Sequence, residues 1–147
     1  MKENYILLKK ILRKNRNELT IAGDFVKKYF QEIEKINLDD KKIINGIKKN
    51  LKNKNHLYYL IKFRKQIVGL IHLFLKKRSA DLCLIYILPE FRRKGFGTLV
   101  LKKIFKKLKN KNIKNLKIEI YKNNKASIKF FTKLGAKLYS YIYYLKV

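Results

Sequence analysis

The sequence predicts an α/β fold, a mixed sheet with helices in the order β-α-α-β-β-β-α-β-α-β. Three observations carry that prediction. Apolar runs of strand length alternate along the chain with stretches whose apolar residues fall at helical spacing. The step from Asp81 to Tyr121 reads strand, helix, strand, which requires a right-handed crossover and a locally parallel pair of strands. No linker, repeat or compositional break divides the 147 residues, a length that supports one domain, 1–147, around one core.

A short strand is expected near Tyr5–Leu12. From Glu18 to Ile36 the residues Ala22, Phe25, Val26, Tyr29, Phe30, Ile33 and Ile36 recur at three and four, so a helix follows. Asp39 or Asp40 starts the second helix, because a carboxylate there caps free N–H groups at the positive helix end. Ile43, Ile44, Ile47 and Leu51 form its inner face. His56–Phe63 and Gln66–Leu75 read as two strands joined at Arg64–Lys65. After a turn at Lys76–Ala80, Asp81–Leu88 is mostly apolar, as a strand buried on both faces is. Pro89 ends it, lacking the N–H that a ladder needs. Past Gly97, Leu99, Val100, Leu101, Ile104, Phe105 and Leu108 form the inner stripe of a third helix. Lys102, Lys103, Lys106, Lys107 and Lys109 form its solvated face. Asn115–Tyr121 alternates, with Leu116, Ile118 and Ile120 on one side and Lys117, Glu119 and Tyr121 on the other. Asn124 caps a last helix carrying Ile128, Phe131 and Leu134, and Gly135 fits its C′ position. Ala136–Val147 reads as a closing strand.

Composition narrows the classes of function. A chain that is 47% hydrophobic and 13% aromatic is not a wholly disordered tail protein. No apolar run approaches the ~20 residues of a membrane span, and Lys9 and Lys10 interrupt the amino-terminal apolar stretch too early for a signal peptide. Cys83 is alone, so no internal disulfide forms; a reducing, cytoplasmic setting fits. Its place inside a strand marks it as a packed core cysteine, and His72 as a paired or half-exposed histidine. Two histidines (His56, His72) and one cysteine make no metal-ligand cluster, so no metal is expected.

Against 10 acidic residues stand 38 basic ones, a net charge of +28. Such a field favours anionic partners, including nucleic acid and acidic or ribosomal surfaces, and disfavours free polycations. It also has a compositional reading: Lys, Asn, Ile, Tyr and Phe, all with A/T-rich codons, dominate, and the lysines are spread along the whole chain.

The most specific feature is Leu88–Phe105, where three cations and two glycines precede a strong helix. A helix start exposes unpaired N–H groups and about half a positive charge. Gly95 and Gly97 let a backbone approach a ligand, because no Cβ intervenes, while Arg92, Arg93 and Lys94 add mobile charge. The combination suits a pyrophosphate. Arginine is scarce, 6 of the 38 basic residues, yet two of the six are adjacent in this turn. A second cluster, Asn124-Lys125-Ala126-Ser127, Phe131 and Lys133-Leu134-Gly135, follows one strand–helix unit later.

Arg92, Gly95 and Gly97 in the spacing Arg-x-x-Gly-x-Gly, preceded by Ile87-Leu88-Pro89 and followed by the Asn124 cluster, resemble the signatures of the GNAT superfamily of acetyl-CoA-dependent N-acetyltransferases. The motifs span Ile87 to Gly135, and the element order agrees over nearly the whole chain. The resemblance implies acetyl-CoA as acyl donor and a sheet splayed between the fourth and fifth strands. It implies that the backbone of Ile87 and Leu88, ahead of Pro89, pairs with the pantetheine arm and the acetyl carbonyl. The N–H groups of Arg93, Lys94, Gly95, Phe96, Gly97 and Thr98 cradle the pyrophosphate, Asn124 bonds to the coenzyme arm, and the two amino-terminal helices roof the acceptor site.

Acyl transfer to an amine needs a base, an oxyanion site and a leaving thiolate. In the family branch that acetylates the N-terminal alanine of a ribosomal protein, a glutamate at the strand position of Glu119 is the base. The other reading of Glu119 is a surface carboxylate paired with a neighbouring lysine. Phe131 departs from the family, many of whose members carry an acidic tyrosine there; with no hydroxyl it packs the core. The thiolate then leaves unaided, or another phenol serves, with Tyr121 sharing the strand face of Glu119 and Tyr139, Tyr141 and Tyr143 near the last strand. The expected function is N-acetylation of a primary amine: a protein N-terminus, an amino sugar, a small amine or an aminoacyl-tRNA. The rival is a nucleic-acid- or ribosome-binding module on a catalytically weak scaffold.

Overall fold

A computed structural model of the chain describes residues 5–147, so residues 1–4 lie outside the described part. Strands β1 (Ile6–Lys10), β2 (His56–Phe63), β3 (Gln66–Leu75), β4 (Ser79–Ile87) and β5 (Asn115–Ile118) form one sheet in sequence order. The first four are antiparallel neighbours, and β4 and β5 are parallel. Helices α1 (Arg16–Tyr29) and α2 (Asp40–Asn50) follow β1; α3 (Phe96–Lys109) crosses between β4 and β5, and α4 (Lys125–Lys133) follows β5.

The sheet separates two cores. On one face Leu19, Ala22 and Phe25 of α1 and Ile43 and Ile47 of α2 meet Tyr58, Leu60, Leu70, Leu84 and Tyr86. On the other, Val100, Leu101, Ile104 and Leu108 of α3 and Phe131 of α4 meet Ile61, Ile71, Leu73, Ala80 and Leu82. Alternation along β2, and along β3 on either side of a bulge at Val68, sends residues to both cores, which is why neither strand tolerates charge at its centre.

Local chemistry sets the helix starts. Asn15 caps α1 by accepting from Glu18 N–H at 3.0 Å, and its own amide donates to the Glu18 carboxylate at 2.7 Å. Asp39, not Asp40, caps α2, accepting from Lys42 N–H at 3.1 Å. The first helix ends earlier than its periodicity suggests: a π-helical turn runs from Phe30 to Glu34 and closes at left-handed Lys35. Ile36, expected inward, is therefore exposed.

The expected closing strand at Ala136–Val147 does not form; the chain leaves the last helix without regular structure. The segment is apolar or aromatic on both of its faces, and among the described residues nothing covers either; Leu138–Leu145 is exposed throughout. Ile128 and Leu134 of the last-helix stripe are partly exposed, as is Phe105 on α3. The expectation that the fourth strand is buried on both faces is also corrected. Ala80, Leu82, Leu84 and Tyr86 are buried, but Cys83 is exposed instead of packed in the core.

Candidate active site

β4 and β5 pair only from Ser79 opposite Asn115 to Leu82 opposite Ile118. β4 then continues to Ile87 with no strand on that edge, so the sheet splays between its fourth and fifth strands. A bulge at the same point leaves Cys83 without a partner in β3. The extra residue reverses the faces: Ala80 and Leu82 point to the α3 core, Leu84 and Tyr86 to the α1–α2 core. Leu88 N–H donates to Val68 C=O at 2.9 Å, on the β3 side. The N–H and C=O of Ile87 therefore face the gap.

Past Ile87 the chain makes one 3₁₀ turn, Pro89–Phe91, then a tight reversal with Arg93 at φ 58° and Gly95 at φ 84°. The first main-chain bond of α3 runs from Leu99 N–H to Gly95 C=O, and no side chain caps this start. The N–H groups of Phe96, Gly97 and Thr98 thus have no partner within the helix. Arg93 and Lys94 are exposed beside them. A helix start with a left-handed glycine, no side-chain cap among the described residues and two exposed cations fits a diphosphate. Phe96 is buried in the core, so only its main chain can face a ligand.

Two expectations for this turn are corrected. Gly97 does not open space for a ligand: a Cβ there would lie 3.0 Å from the Phe130 ring, so the missing side chain is filled from α4. Arg92 is not mobile charge. Its Nε donates to Ile87 C=O at 2.8 Å, its two terminal nitrogens grip both oxygens of Glu32, and its guanidinium stacks 5.1 Å from the Tyr86 ring centre. Tyr86 O–H also donates to Glu32, at 3.1 Å. The Arg92 guanidinium holds the Glu32 carboxyl below the usual carboxylate range, and burial with the Glu32 bond pushes the Tyr86 phenol up to about 12. One carbonyl that the resemblance assigns to the donor is therefore already engaged, while Ile87 N–H remains towards the gap. Asn124 caps α4, its side-chain oxygen accepting from Ser127 N–H at 3.2 Å.

On the other side of the splay, a cavity of ≈ 530 Å³ opens between the α1–α2 layer and the β4–β5 edge. Tyr29, Phe30 and Glu34 line it from above, Asp81, Cys83, Glu119 and Tyr121 from the sheet. The structure thus brings Glu119 and Tyr121 onto one wall, beneath the two amino-terminal helices. β5 ends at Ile118, so both residues lie just beyond the strand. Glu119 is exposed and paired with Lys117 at 2.8 Å. The Glu34 carboxylate facing Tyr121 pushes its phenol up to about 12. Three of the ten acidic residues of this very basic chain, Glu34, Asp81 and Glu119, line this one cavity; Lys42 and Lys117 are the cations beside them.

His72 closes the cavity floor and is buried. Its Nε2 lies 2.9 Å from His56 Nδ1, and the Tyr58 ring stacks on it at 3.8 Å. Burial, then the neighbouring His56, lowers the His72 pKa to about 3, so the ring is neutral. Asn50 donates to Tyr58 O–H at 2.8 Å, completing the floor. Sequence reading missed Glu32 and this floor. Glu32 sits in a helical stretch with no motif, and its partner is 60 residues away. The alternation of β2 and β3 could have found the floor, since it puts Tyr58 and His72 opposite each other.

The start of α3, the open β4 edge and the cavity lie in the order that the resemblance to acetyltransferases implies for an acetyl donor. The chain belongs to the acetyltransferase (GNAT) family, whose sequence model matches residues 21–136. A spermidine N(1)-acetyltransferase of Thermoplasma acidophilum is 24% identical over 119 residues, covering 81% of this chain and 74% of that protein. The aminoglycoside N-acetyltransferase AAC(6')-Iy in complex with CoA superposes with a TM-score of 0.77 at 15% identity, over 96% of this chain and 94% of that one. A GNAT family acetyltransferase from Elizabethkingia anophelis with acetyl-CoA bound gives a TM-score of 0.70 at 20% identity, over 93% and 79%. The likenesses to these two solved structures show the fold.

Proposed function

We propose that the chain transfers the acetyl group of acetyl-CoA directly to the primary amine of a compact cationic acceptor held in the cavity beneath α1 and α2. The observation that carries this reading is the continuity of three features: free amides at the start of α3, an unpaired β4 edge, and a cavity whose carboxylates oppose the charge of the rest of the chain. Names of similar proteins point the same way, since one acts on spermidine and another on aminoglycosides. The global charge of +28 repels cations at long range, but it is screened within about 8 Å at physiological salt, so the lining of the cavity governs binding there.

The amides of Arg93 to Thr98, with Arg93 and Lys94, hold the diphosphate. Ile87 N–H, facing the gap, donates to the thioester carbonyl and to the oxyanion that forms from it. Glu119 takes one proton from the bound ammonium, directly or through one water; the amine nitrogen then bonds to the carbonyl carbon, the C–S bond breaks with its electron pair on sulfur, and the second nitrogen proton passes to the departing thiolate or to water. Tyr121 lines the same wall, and in this reading it is the phenol that assists the departing sulfur. Phe131 is buried and supplies no proton. A thiol pKa near ~8.5 lets the thiolate leave without obligatory protonation.

Calorimetry with acetyl-CoA and a thiol-release assay over small amines, polyamines, amino sugars and amino-terminal peptides test the reading. Micromolar acetyl-CoA binding and thiol release with a cationic small amine are expected. No heat with acetyl-CoA, together with tight, salt-sensitive RNA binding, overturns it in favour of a nucleic-acid-binding module.

A further inference from the structure

The acceptor cavity already holds an amine with a carboxylate on it. Of the 32 lysines in the chain, Lys42 and Lys117 line the cavity. Lys42 belongs to α2, in the roof. Lys117 belongs to β5, two residues before Glu119, so alternation turns both side chains to the same wall. Its Nζ lies 2.8 Å from Glu119 Oε1. Four other lysines, Lys9, Lys27, Lys28 and Lys76, touch a carboxylate among the described residues, and none of the four lines the cavity. Among the described residues, Lys117 alone combines the two.

Lys117 also stands where the sheet opens. It lies opposite Asp81 in the parallel register, one pair before the last, Leu82 opposite Ile118. Lys76 holds the Asp81 carboxylate at 2.8 Å, which leaves Glu119 as the carboxylate in contact with Lys117. The Lys117 side chain is 56% exposed, and its flexible four-carbon stem is packed into neither core. Glu119 raises the Lys117 pKa, so the side chain is an ammonium and attacks no thioester until a base takes its proton. The base candidate is the carboxylate it touches.

Resting on the reading of this cavity as the acceptor site of an acetyl-CoA-dependent transferase, we propose that Lys117 is itself an acceptor, and that the chain acetylates its own Lys117 Nζ. Glu119 takes one proton from the ammonium, Nζ bonds to the acetyl carbonyl carbon, and the C–S bond breaks with its electron pair on sulfur. The second proton passes to the departing thiolate or to water, and the lysine nitrogen keeps one hydrogen as an amide N–H. Acetylation removes the charge of Lys117. Glu119 then loses its partner, and Lys42 is the one cationic lysine left in the cavity, beside the carboxylates of Glu34, Asp81 and Glu119. A cationic acceptor no longer competes with Lys117 for Glu119, so the modification tightens acceptor binding at the same site.

Incubating the full chain with acetyl-CoA alone, then measuring its mass and mapping the modified peptide, reads the proposal directly. The expected product carries one acetyl group per chain, on Lys117, formed with a rate constant independent of protein concentration. Lys117→Arg should abolish that product and leave the calorimetric heat of acetyl-CoA binding unchanged. Glu119→Gln should slow its formation well over tenfold, within the ~10²–10⁴ range of a general base. The acetylated chain should show a several-fold lower KM for a cationic small amine, with kcat changed less. Acetyl groups scattered over surface lysines, at rates that Glu119→Gln does not alter, overturn the proposal, as does a rate constant that rises with protein concentration. Acetyl-CoA heat and thiol release with a small amine, with Lys117 unmodified, overturn it and leave the acceptor site standing; no heat with acetyl-CoA removes both.

Discussion

Glu32 and Arg92, 60 residues apart, meet in a two-pronged ion pair that ties the π-helical end of α1 to the first residue of the diphosphate turn, with Arg92 Nη2 2.9 Å from Glu32 Oε2. Through Nε the same guanidinium also holds Ile87 C=O, so one side chain links the acceptor roof, the end of β4 and the donor turn. Both partners are about one-third exposed, which screens the pair; its loss should lower stability by only about 1 kcal/mol. The larger effect is on position. Glu32→Gln keeps the shape but not the charge, and we expect acetyl-CoA affinity to fall about tenfold, about 1.4 kcal/mol, with kcat changed less than KM. Calorimetry and donor-dependent kinetics read this directly. Because the pair lowers the Glu32 pKa, its contribution is full above the ordinary carboxylate range and disappears as pH falls through the lowered value.

The two glycines of the turn serve different ends, and substitution separates them. Gly95 has φ 84° and open space where a Cβ would go, so Gly95→Ala meets only backbone strain, about 1–2 kcal/mol. Gly97→Ala instead drives a methyl to 3.0 Å from the Phe130 ring and should destabilise by about 1–3 kcal/mol. Phe130→Leu should recover part of the second loss and none of the first. Denaturant midpoints of the three single and two double variants give the answer as a coupling energy.

Much of this was legible in the sequence because the signals are local. Periodicity placed the four helices and, besides a closing strand that does not form, the five strands; Asn124 marked the last helix start where the structure has it, while the third helix, read as beginning past Gly97, starts at Phe96. What the sequence hid depends on distant partners. Arg92 looked free because Glu32 is far away in the chain, and Gly97 looked like a ligand contact because Phe130 comes from another helix. Cys83 looked buried because nothing in an apolar run announces the bulge opposite His72. The tail looked like a strand by composition, yet a strand needs an edge, and no edge is encoded in the tail itself.

The His72–His56 contact predicts acid sensitivity. A bond between two ring nitrogens requires that one of them carry no proton, and His72 is buried under Tyr58. In the unfolded chain an imidazole binds a proton near pH ~6.5, whereas folded His72 does so only near about 3. Between those values the unfolded state holds more protons, so stability falls as pH falls, by about 1.4 kcal/mol per pH unit. The loss from this ring reaches about 3 kcal/mol between pH 6.5 and 4. His72→Phe removes the titration and keeps a ring beneath Tyr58. Thermal melts of both proteins across that range should show a steep slope in the parent and a shallower one in the variant; parallel slopes would exclude His72 as the cause.

Glu119 and Phe131 separate chemistry from packing. Glu119 is exposed and, among the described residues, paired only with Lys117, so Glu119→Gln should leave folding and acetyl-CoA affinity nearly unchanged. If Glu119 removes the ammonium proton, turnover falls well over tenfold, within the ~10²–10⁴ range of a general base. The deficit should shrink as pH approaches the pKa of the free amine, because the substrate then arrives already deprotonated. An unchanged rate would leave Glu119 as a surface partner of Lys117 and nothing more. Phe131→Tyr makes the contrasting case. Phe131 is 4% exposed and stacks edge-on with Phe130 at 5.0 Å. A hydroxyl there enters a packed core without a partner, at about 1–3 kcal/mol. We therefore expect Phe131→Tyr to lower the melting temperature and not to raise kcat. A rate increase would show that the ring can turn from the core towards the donor and that protonation of the leaving thiolate limits the reaction.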